Sequence, residues 1–269
     1  MQAATTLTSH NRLFLAILAG MSIGTLGGLI GLGGAEFRLP LLIGLFGFVA
    51  LQAVILNKTM SLVVVVSALF FRARAVPMDQ VVEHAAVVLN LLAGSLLGAW
   101  WGADWAIQIG QQRLYKVIAG LLVGIAAVLL LQHLMATSHQ PLLHGWTQVL
   151  AGVAAGLVIG VAASLLGVAG GELLIPTLIL LYGVEVKLAG SLSLVVSLPT
   201  MIVGLVRYSR DGSFSVLKGN RSFVVAMAAG SLAGALLGGL LLGAVPGVVL
   251  LPTLALILLV SAWKVWRHR

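Results

Sequence analysis

The segment Ile30-Gly31-Leu32-Gly33-Gly34-Ala35-Glu36-Phe37-Arg38-Leu39-Pro40 is followed, 136 residues later, by Leu166-Gly167-Val168-Ala169-Gly170-Gly171-Glu172-Leu173-Leu174-Ile175-Pro176. Each copy has a glycine pair before a glutamate and a proline four residues after it. The constant spacing predicts a tandem duplication of one module. The same offset aligns further parts of the two halves: Gly20 with Gly156, Gly47 with Gly183, Ala53 with Ala189, Ser61 with Ser197, and residues 94–99 with residues 230–235.

The composition places this module in a membrane. Hydrophobic residues make up 60% of the chain and charged residues 8%, with a mean hydropathy of +1.14. An ordinary soluble domain has about a quarter of its residues charged. Apolar runs of roughly twenty residues, enough to cross a bilayer core, recur along the whole length. The sequence therefore predicts an all-α, multi-pass membrane protein with little room for a soluble catalytic domain, so we do not expect an enzyme.

Charge, cysteine content and the N-terminus narrow the class further. The net charge of +8 is typical of Lys and Arg enriched in cytoplasmic loops, and we expect no nucleic-acid partner. The chain has no cysteine, which excludes disulfides and thiolate metal ligands. Residues 1–12 lack the features of a signal peptide, so the segment from Leu13 is expected to remain as the first spanning helix.

The second apolar element of each half is too short to cross comfortably. If these two elements are re-entrant, the chain spans eight times with cytoplasmic termini, and ten Lys and Arg lie on the terminal side against two opposite. If they cross, the ten elements form 5+5 inverted repeats, and eleven Lys and Arg lie on the terminal side against four opposite. The positive-inside rule favours eight transmembrane helices plus two short re-entrant or broken helices. The predicted boundaries are an N-terminus at 1–12, repeats at 13–132 and 149–266, a linker at 133–148 and a C-terminus at 267–269.

Glycine pairs at Gly33-Gly34 and Gly170-Gly171 predict that each helix breaks there. Pro40 and Pro176 are assigned to the same break, because proline is tolerated only early in a helix. A new half-helix would begin near each motif glutamate, and its free N–H groups would form an anion site. Two such half-helices, one per repeat, are predicted to converge on a central cavity.

Glu36 and Glu172 have two competing interpretations. A carboxylate at membrane depth is costly, which favours a role as a coupling group beside the substrate, with a proton or another cation as the coupled ion. Alternatively, each glutamate caps its own half-helix. The neighbouring Arg38 could bind an anion, but its counterpart is Leu174, so a boundary or snorkelling arginine is the preferred interpretation.

A second polar cluster opens the third element of each half. Hydroxyl, amide and ammonium groups there could bind an oxyanion, or could simply bond to the preceding helical turn or to a neighbouring helix. The candidate substrate-binding residues in this cluster are Asn57, Lys58, Thr59, Ser61, Ser191, Ser193 and Ser197. Small residues at every fourth position are predicted to pack helices within or between subunits, and a homodimer is left open. They are Gly94, Gly98 and Gly102, with Gly230, Gly234 and Gly238.

The doubled glycine-rich motif and the segment Ala-Gly-Ser-Leu-Ser-Leu-Val-Val-Ser-Leu-Pro, from Ala189 to Pro199, resemble the sulfite exporter TauE/SafE family. The similarity extends from about Leu13 to Trp266. The resemblance implies a bacterial inner-membrane transporter of small sulfur-containing anions such as sulfite or sulfoacetate.

We therefore expect a secondary transporter that binds a small anion between its repeats and works by alternating access. The chain has no phosphate-binding loop for ATP, and no metal or other cofactor is expected. The alternatives are a passive anion channel and, less favoured, a membrane assembly factor.

Overall fold

The computed structural model describes residues 9–30, 34–72, 78–134, 141–210, 212–241 and 247–267, and the elements in these ranges are all α-helices. The first half contains α1 (Ser9–Ile30), α2 (Ala35–Gly44), α3 (Ala50–Arg72), α4 (Met78–Glu83), α5 (Ala85–Gln108) and α6 (Gln111–Leu134). The second half contains α7 (Gly145–Leu166), α8 (Gly171–Tyr182), α9 (Val186–Ser209), α10 (Ser215–Gly219), α11 (Arg221–Leu240) and α12 (Gly247–Trp266).

The two halves have the same order of helices. α7 begins 136 residues after α1, and the same interval separates the starts of α2 and α8, α3 and α9, α5 and α11, and α6 and α12. Within the described ranges, five helical segments are long and apolar enough to cross a membrane: residues 50–70 and helices α5, α7, α9 and α11. The chain is thus an all-helical protein with the segments of a multi-pass membrane protein.

The halves interlock through two pairs of parallel helices. Along α1, Gly20, Gly24 and Gly28 meet successive positions of α11, and along α5 the glycines Gly94 and Gly98 meet α7 in the same way. A Cβ atom at any of these positions would fall inside the van der Waals radius of a backbone oxygen on the partner helix. The small residues of the packing motifs therefore bring backbones together within the chain, between its two halves.

Other contacts show that the halves are inverted. The Lys116 ammonium, near the start of α6, lies 5.8 Å from the ring centroid of Trp266 at the end of α12, so these two helices are antiparallel. At the ends of α5 and α9, Asp104 forms an ion pair with Arg207. α6 and its counterpart α12 thus run in opposite directions, and α9, the counterpart of α3, ends at the same side of the molecule as α5.

Contacts between helix ends disagree with the preferred eight-span path. It places the ends of α5 and α9 on opposite membrane surfaces, yet Asp104 and Arg207 are in contact. It also separates the start of α1 from the loop before α3, yet the Arg12 guanidinium lies 5.2 Å from the centroid of the Phe48 ring. The contacts agree with the alternative of ten elements in inverted halves. With the fully buried Arg38 and Lys58 left out, the count for ten elements is ten against three, so the charges hardly separate it from the ten against two of the eight-span path.

The short helices α2 and α8 run back beside the helices that precede them. Gly34 packs against Ile23 of α1, and Gly170 packs against Ile159 of α7. At the other end of α8, the backbone N–H of Leu142, just before α7, donates to Leu180 O at 3.0 Å. Each short helix therefore returns to the side of the molecule on which its half began.

The glycines, and not the prolines, mark the break in each half. Gly34 and Gly170 precede the short helices with φ of 69° and 83°, a conformation that glycine adopts without strain. Pro40 and Pro176 lie inside α2 and α8, which continue past them, so assigning the prolines to the break was wrong. Because proline lacks an N–H, each leaves the carbonyl four residues earlier without its helical partner.

Candidate functional site

The two repeat glutamates meet at the start of the short helices. Glu36 and Glu172 are each the second residue of their helix, and their side chains are 1% and 2% exposed. The two carboxyl groups lie close enough to interact with each other. The N-termini of α2 and α8 therefore converge, as the repeat suggested.

The carboxyl pair has few other partners. Glu36 Oε2 and both Glu172 carboxylate oxygens accept no hydrogen bond from another described residue. Two ionised carboxylates this close and out of water would repel strongly, so a proton shared between them would stabilise the pair. The geometry is compatible with both interpretations of these residues, since each group sits at a helix N-terminus and also faces its repeat counterpart.

Arg38 lies in the interior, so its interpretation as a boundary or snorkelling residue was wrong. Its side chain is 0% exposed, and its Nη1 makes a long contact of 3.5 Å to Ser61 Oγ. Its Nε and Nη2 groups have no hydrogen-bond acceptor among the described residues. A buried guanidinium with free donors is costly unless an anion completes its shell.

Asn57 ties the two breaks together. Its Nδ2 donates to Ala35 O at the start of α2 and to Leu166 O at the end of α7, both at 3.0 Å. Ser61, one turn further along α3, donates to Gly167 O at 3.4 Å. Helix ends carry carbonyl groups without helical partners, and these side chains supply them with donors. The donors of Asn57 and Ser61 are therefore already engaged in this conformation.

Lys58 also points to the end of α7. Its Nζ donates to Ala163 O at 3.3 Å and to Ser164 Oγ at 3.2 Å, and its side chain is 0% exposed. Among the described residues, no carboxylate lies within 4 Å of this ammonium group. The residue predicted to bind substrate thus contacts a helix end through neutral oxygens.

The remaining predicted substrate-binding residues differ in whether their side chains already have hydrogen-bond partners. Thr59, Ser191 and Ser193 donate to carbonyl groups of their own helices at 2.9, 3.5 and 2.9 Å. Thr59 also lines an open groove of about 430 Å³ that has Lys218 and Arg221 on its wall. Ser197, the counterpart of Ser61, is 1% exposed, and its hydroxyl has no partner among the described residues. Gly33 lies outside the described residues.

Sequence reasoning missed three participants: Arg38 as an interior cation, Ser164 as a partner of Lys58, and Tyr208 as a donor to the same helix end. Arg38 stands in the motif itself, but its counterpart in the second repeat is Leu174, which argued against a role common to both halves. Ser164 and Tyr208 lie more than a hundred residues from Lys58, and no local pattern joins them to it. No group of three or more His, Asp or Glu that could hold a metal occurs in the part of the chain that the structure describes.

Two inverted halves, broken helices and buried charged groups where the breaks meet are the architecture of a membrane transporter. The family model described as sulfite exporter TauE/SafE matches residues 2–130 and 151–269. The chain therefore belongs to the sulfite exporter TauE/SafE family, whose members are membrane transporters of sulfur-containing anions. No significant match to a curated protein or to a solved structure is found.

Proposed function

We propose that this protein is a secondary transporter of a small sulfur oxyanion or organosulfonate, such as sulfite or sulfoacetate. It would lie in a bacterial inner membrane with cytoplasmic termini, and its repeats, residues 13–132 and 149–266, would form ten membrane elements. The substrate binds where the N-termini of α2 and α8 meet, between the two halves. Family membership supports the substrate class.

Arg38 carries the argument for an anionic substrate. It is fully buried and has two free N–H donors, Nε and Nη2, which can form a forked pair of bonds to the two oxygens of a sulfite or sulfonate group. Its charge also acts on the neighbouring Glu36 carboxyl group. A buried cation of this kind is best explained by an anion that completes its shell during the transport cycle.

Backbone groups and one hydroxyl complete the proposed site. In α8, the N–H groups of Leu173 and Leu174 bond to Gly170 O, whereas those of Gly171 and Glu172 have no backbone acceptor among the described residues. Such N–H groups at a helix N-terminus favour a negative charge. Ser197 adds a free hydroxyl donor. Glycines at the breaks allow the substrate to approach the backbone closely.

The meeting of Glu36 and Glu172 supports proton coupling. A proton shared by the pair leaves one negative charge beside the anion site, and a second proton removes it. Substrate binding would then be favoured when the pair is fully protonated, since the anion would meet no charge of like sign. This links movement of the anion to movement of protons, with one half rocking against the other.

Transport by proteoliposomes tests the function. We expect saturable uptake of labelled sulfite or sulfoacetate, stimulated by a pH gradient, and weaker uptake of sulfate. Arg38→Gln should reduce kcat/KM by about 30-fold or more, because a buried charged partner of the substrate is lost. Arg113→Gln, which changes an exposed arginine at the start of α6, is the matched control and should transport normally.

Two outcomes would contradict this assignment. Unchanged kinetics in Arg38→Gln would remove Arg38 from the site, and failure of the wild type to carry any sulfur anion would remove the substrate class. Flux that neither saturates nor responds to the gradient would instead indicate a passive anion channel.

A further inference from the structure

The C-terminal end of α7 is an electronegative site inside the molecule. Gly167 ends the helix with φ of 67°, and Val168 N–H donates back to Ala163 O at 3.1 Å. Helix C-termini carry partial negative charge on carbonyl groups that lack helical partners. The Gly167 N–H also donates to Ala163 O and Ser164 O, and the Tyr208 hydroxyl donates to Ser164 O at 3.0 Å. Lys58 reaches in from α3 and donates hydrogen bonds to this helix end.

The oxygens around the Lys58 ammonium are neutral and are oriented toward a cation. Nζ lies 3.3 Å from Ala163 O and 3.2 Å from Ser164 Oγ. Ser164 donates its own proton to Ala99 O at 2.9 Å, so the lone pairs of its hydroxyl are available to the ammonium. Carbonyl and hydroxyl oxygens at the end of a broken helix are the ligands with which transporters coordinate Na⁺.

Gly204 of α9 provides the space for this ammonium. A Cβ atom at position 204 would lie 2.7 Å from both Cε and Nζ of Lys58 and 3.0 Å from Ser164 Oγ. Even alanine would therefore displace the ammonium or the hydroxyl. The lysine, the serine and the glycine come from three helices, α3, α7 and α9, and fit one another sterically.

This arrangement is confined to one half of the protein. At the repeat offset, Lys58 corresponds to Leu194, Ser164 to Gly28, and Gly204 to Ala68. None of these counterparts is charged or carries a hydroxyl group. The pocket formed by Lys58, Ser164 and Gly204 is therefore not a structural requirement of the repeated module. These three residues together have a role particular to the second break.

We propose that Lys58 is a tethered cation in a monovalent-cation site formed by Ala163 O and Ser164 Oγ, which would otherwise take Na⁺ or a small ammonium ion. This inference rests on the proposed transport function and deepens it. The ammonium supplies the positive charge at the break, so transport needs no sodium there. It also ties α3 of the first half to α7 of the second.

Removing the ammonium while keeping its oxygen ligands tests the proposal. In Lys58→Ala we expect transport in choline buffer to fall at least about tenfold. Sodium or methylammonium should restore a substantial part of the rate and raise the melting temperature of the purified variant. The wild type should show neither effect. If Lys58→Ala is too unstable in choline, recovery of folded protein in sodium against choline becomes the readout.

Two control variants make the test specific to the pocket. Lys58→Met fills the space without a charge, so it should lose transport and should not be rescued by either cation. Gly204→Ala added to Lys58→Ala should abolish the rescue, because the new methyl group occupies the cation position. A Lys58→Met protein that transports normally in sodium-free buffer would overturn the proposal, and so would a Lys58→Ala protein that no cation affects.

The melting temperature separates this inference from the proposed function. If the wild type carries no sulfur anion, the proposed substrate is wrong, but stabilisation of Lys58→Ala by sodium still supports the cation site. If the wild type transports sulfite and Lys58→Ala shows no response to cations, only the cation site is wrong.

Discussion

At the residue scale, some polar groups in the interior are already hydrogen-bonded, whereas others remain free. Asn57, Lys58 and Ser61 use their donors on the end of α7, whereas Arg38 and Ser197 keep donors without partners among the described residues. Buried polar groups are nearly always bonded in a resting protein. Among the groups with free donors, Arg38 and Ser197 are the ones that we assign to substrate.

Ser197 and Ser193 form a matched pair on α9. Ser197 has a free hydroxyl, while Ser193 donates to Gly190 O of its own helix at 2.9 Å. Ser197→Ala should raise KM for the anion about tenfold, the usual cost of losing a hydrogen bond to a charged group. Ser193→Ala should leave KM unchanged. Equal effects of the two substitutions on substrate kinetics would remove Ser197 from the site.

The glutamate pair predicts a change in pH dependence. A glutamine cannot be ionised, so Glu36→Gln or Glu172→Gln should abolish stimulation of uptake by a pH gradient while leaving a folded protein. Glu83→Gln, at an exposed position of α4, is the control and should keep the stimulation. If both core variants respond to the gradient as the wild type does, the pair is a capping feature and not a coupling group.

At the element scale, packing between the halves depends on helices that approach without side chains. Gly98 of α5 faces Leu157 O of α7 so closely that a Cβ atom would overlap it, whereas a Cβ at Gly124 of α6 would meet nothing within 4 Å. Backbones this close gain van der Waals contact, which is the main attraction between helices in lipid.

These two glycines give a controlled test of the packing. Gly98→Ala should lower the free energy of unfolding by about 1–3 kcal/mol, the cost of overpacking a tight interface. Gly124→Ala should have little effect or stabilise slightly, because alanine is the better helix former. Melting temperatures in detergent measure both. Equal melting temperatures for the two variants would contradict the close packing of α5 on α7.

At the scale of the whole molecule, the inverted halves fix which loops share a side. The ion pair of Asp104 with Arg207 places the α5–α6 turn and the loop after α9 together. The bond from Leu142 N–H to Leu180 O places the segment before α7 at the opposite end of α9, near its start. In an eight-span path, by contrast, the segment before α7 would share a side with the loop after α9.

Single-cysteine labelling distinguishes the two paths directly, because the chain has no cysteine of its own. With ten elements, Gln112→Cys and Ser215→Cys react with an impermeant maleimide from one side, and Glu83→Cys and Leu142→Cys react from the other. The eight-span path predicts that Gln112→Cys alone differs from the other three. That second pattern would show that the inverted arrangement is wrong.

Composition and the 136-residue repeat were enough to predict an all-helical membrane protein, the two breaks and the convergence of the half-helices that follow them. They could do so because hydrophobicity, helix breaking by glycine and the 136-residue offset are properties of local sequence. The sequence also carries the family resemblance, which the family model confirmed over residues 2–130 and 151–269.

The relative orientation of the halves and the partners of individual side chains required the fold. Loop charges could not fix this orientation, because the burial of Arg38 and Lys58 depends on how the helices pack. Asn57 and Lys58 find their partners 109 and 105 residues away. Local sequence encodes which segments form helices, but contacts across such distances follow from how those helices pack against one another.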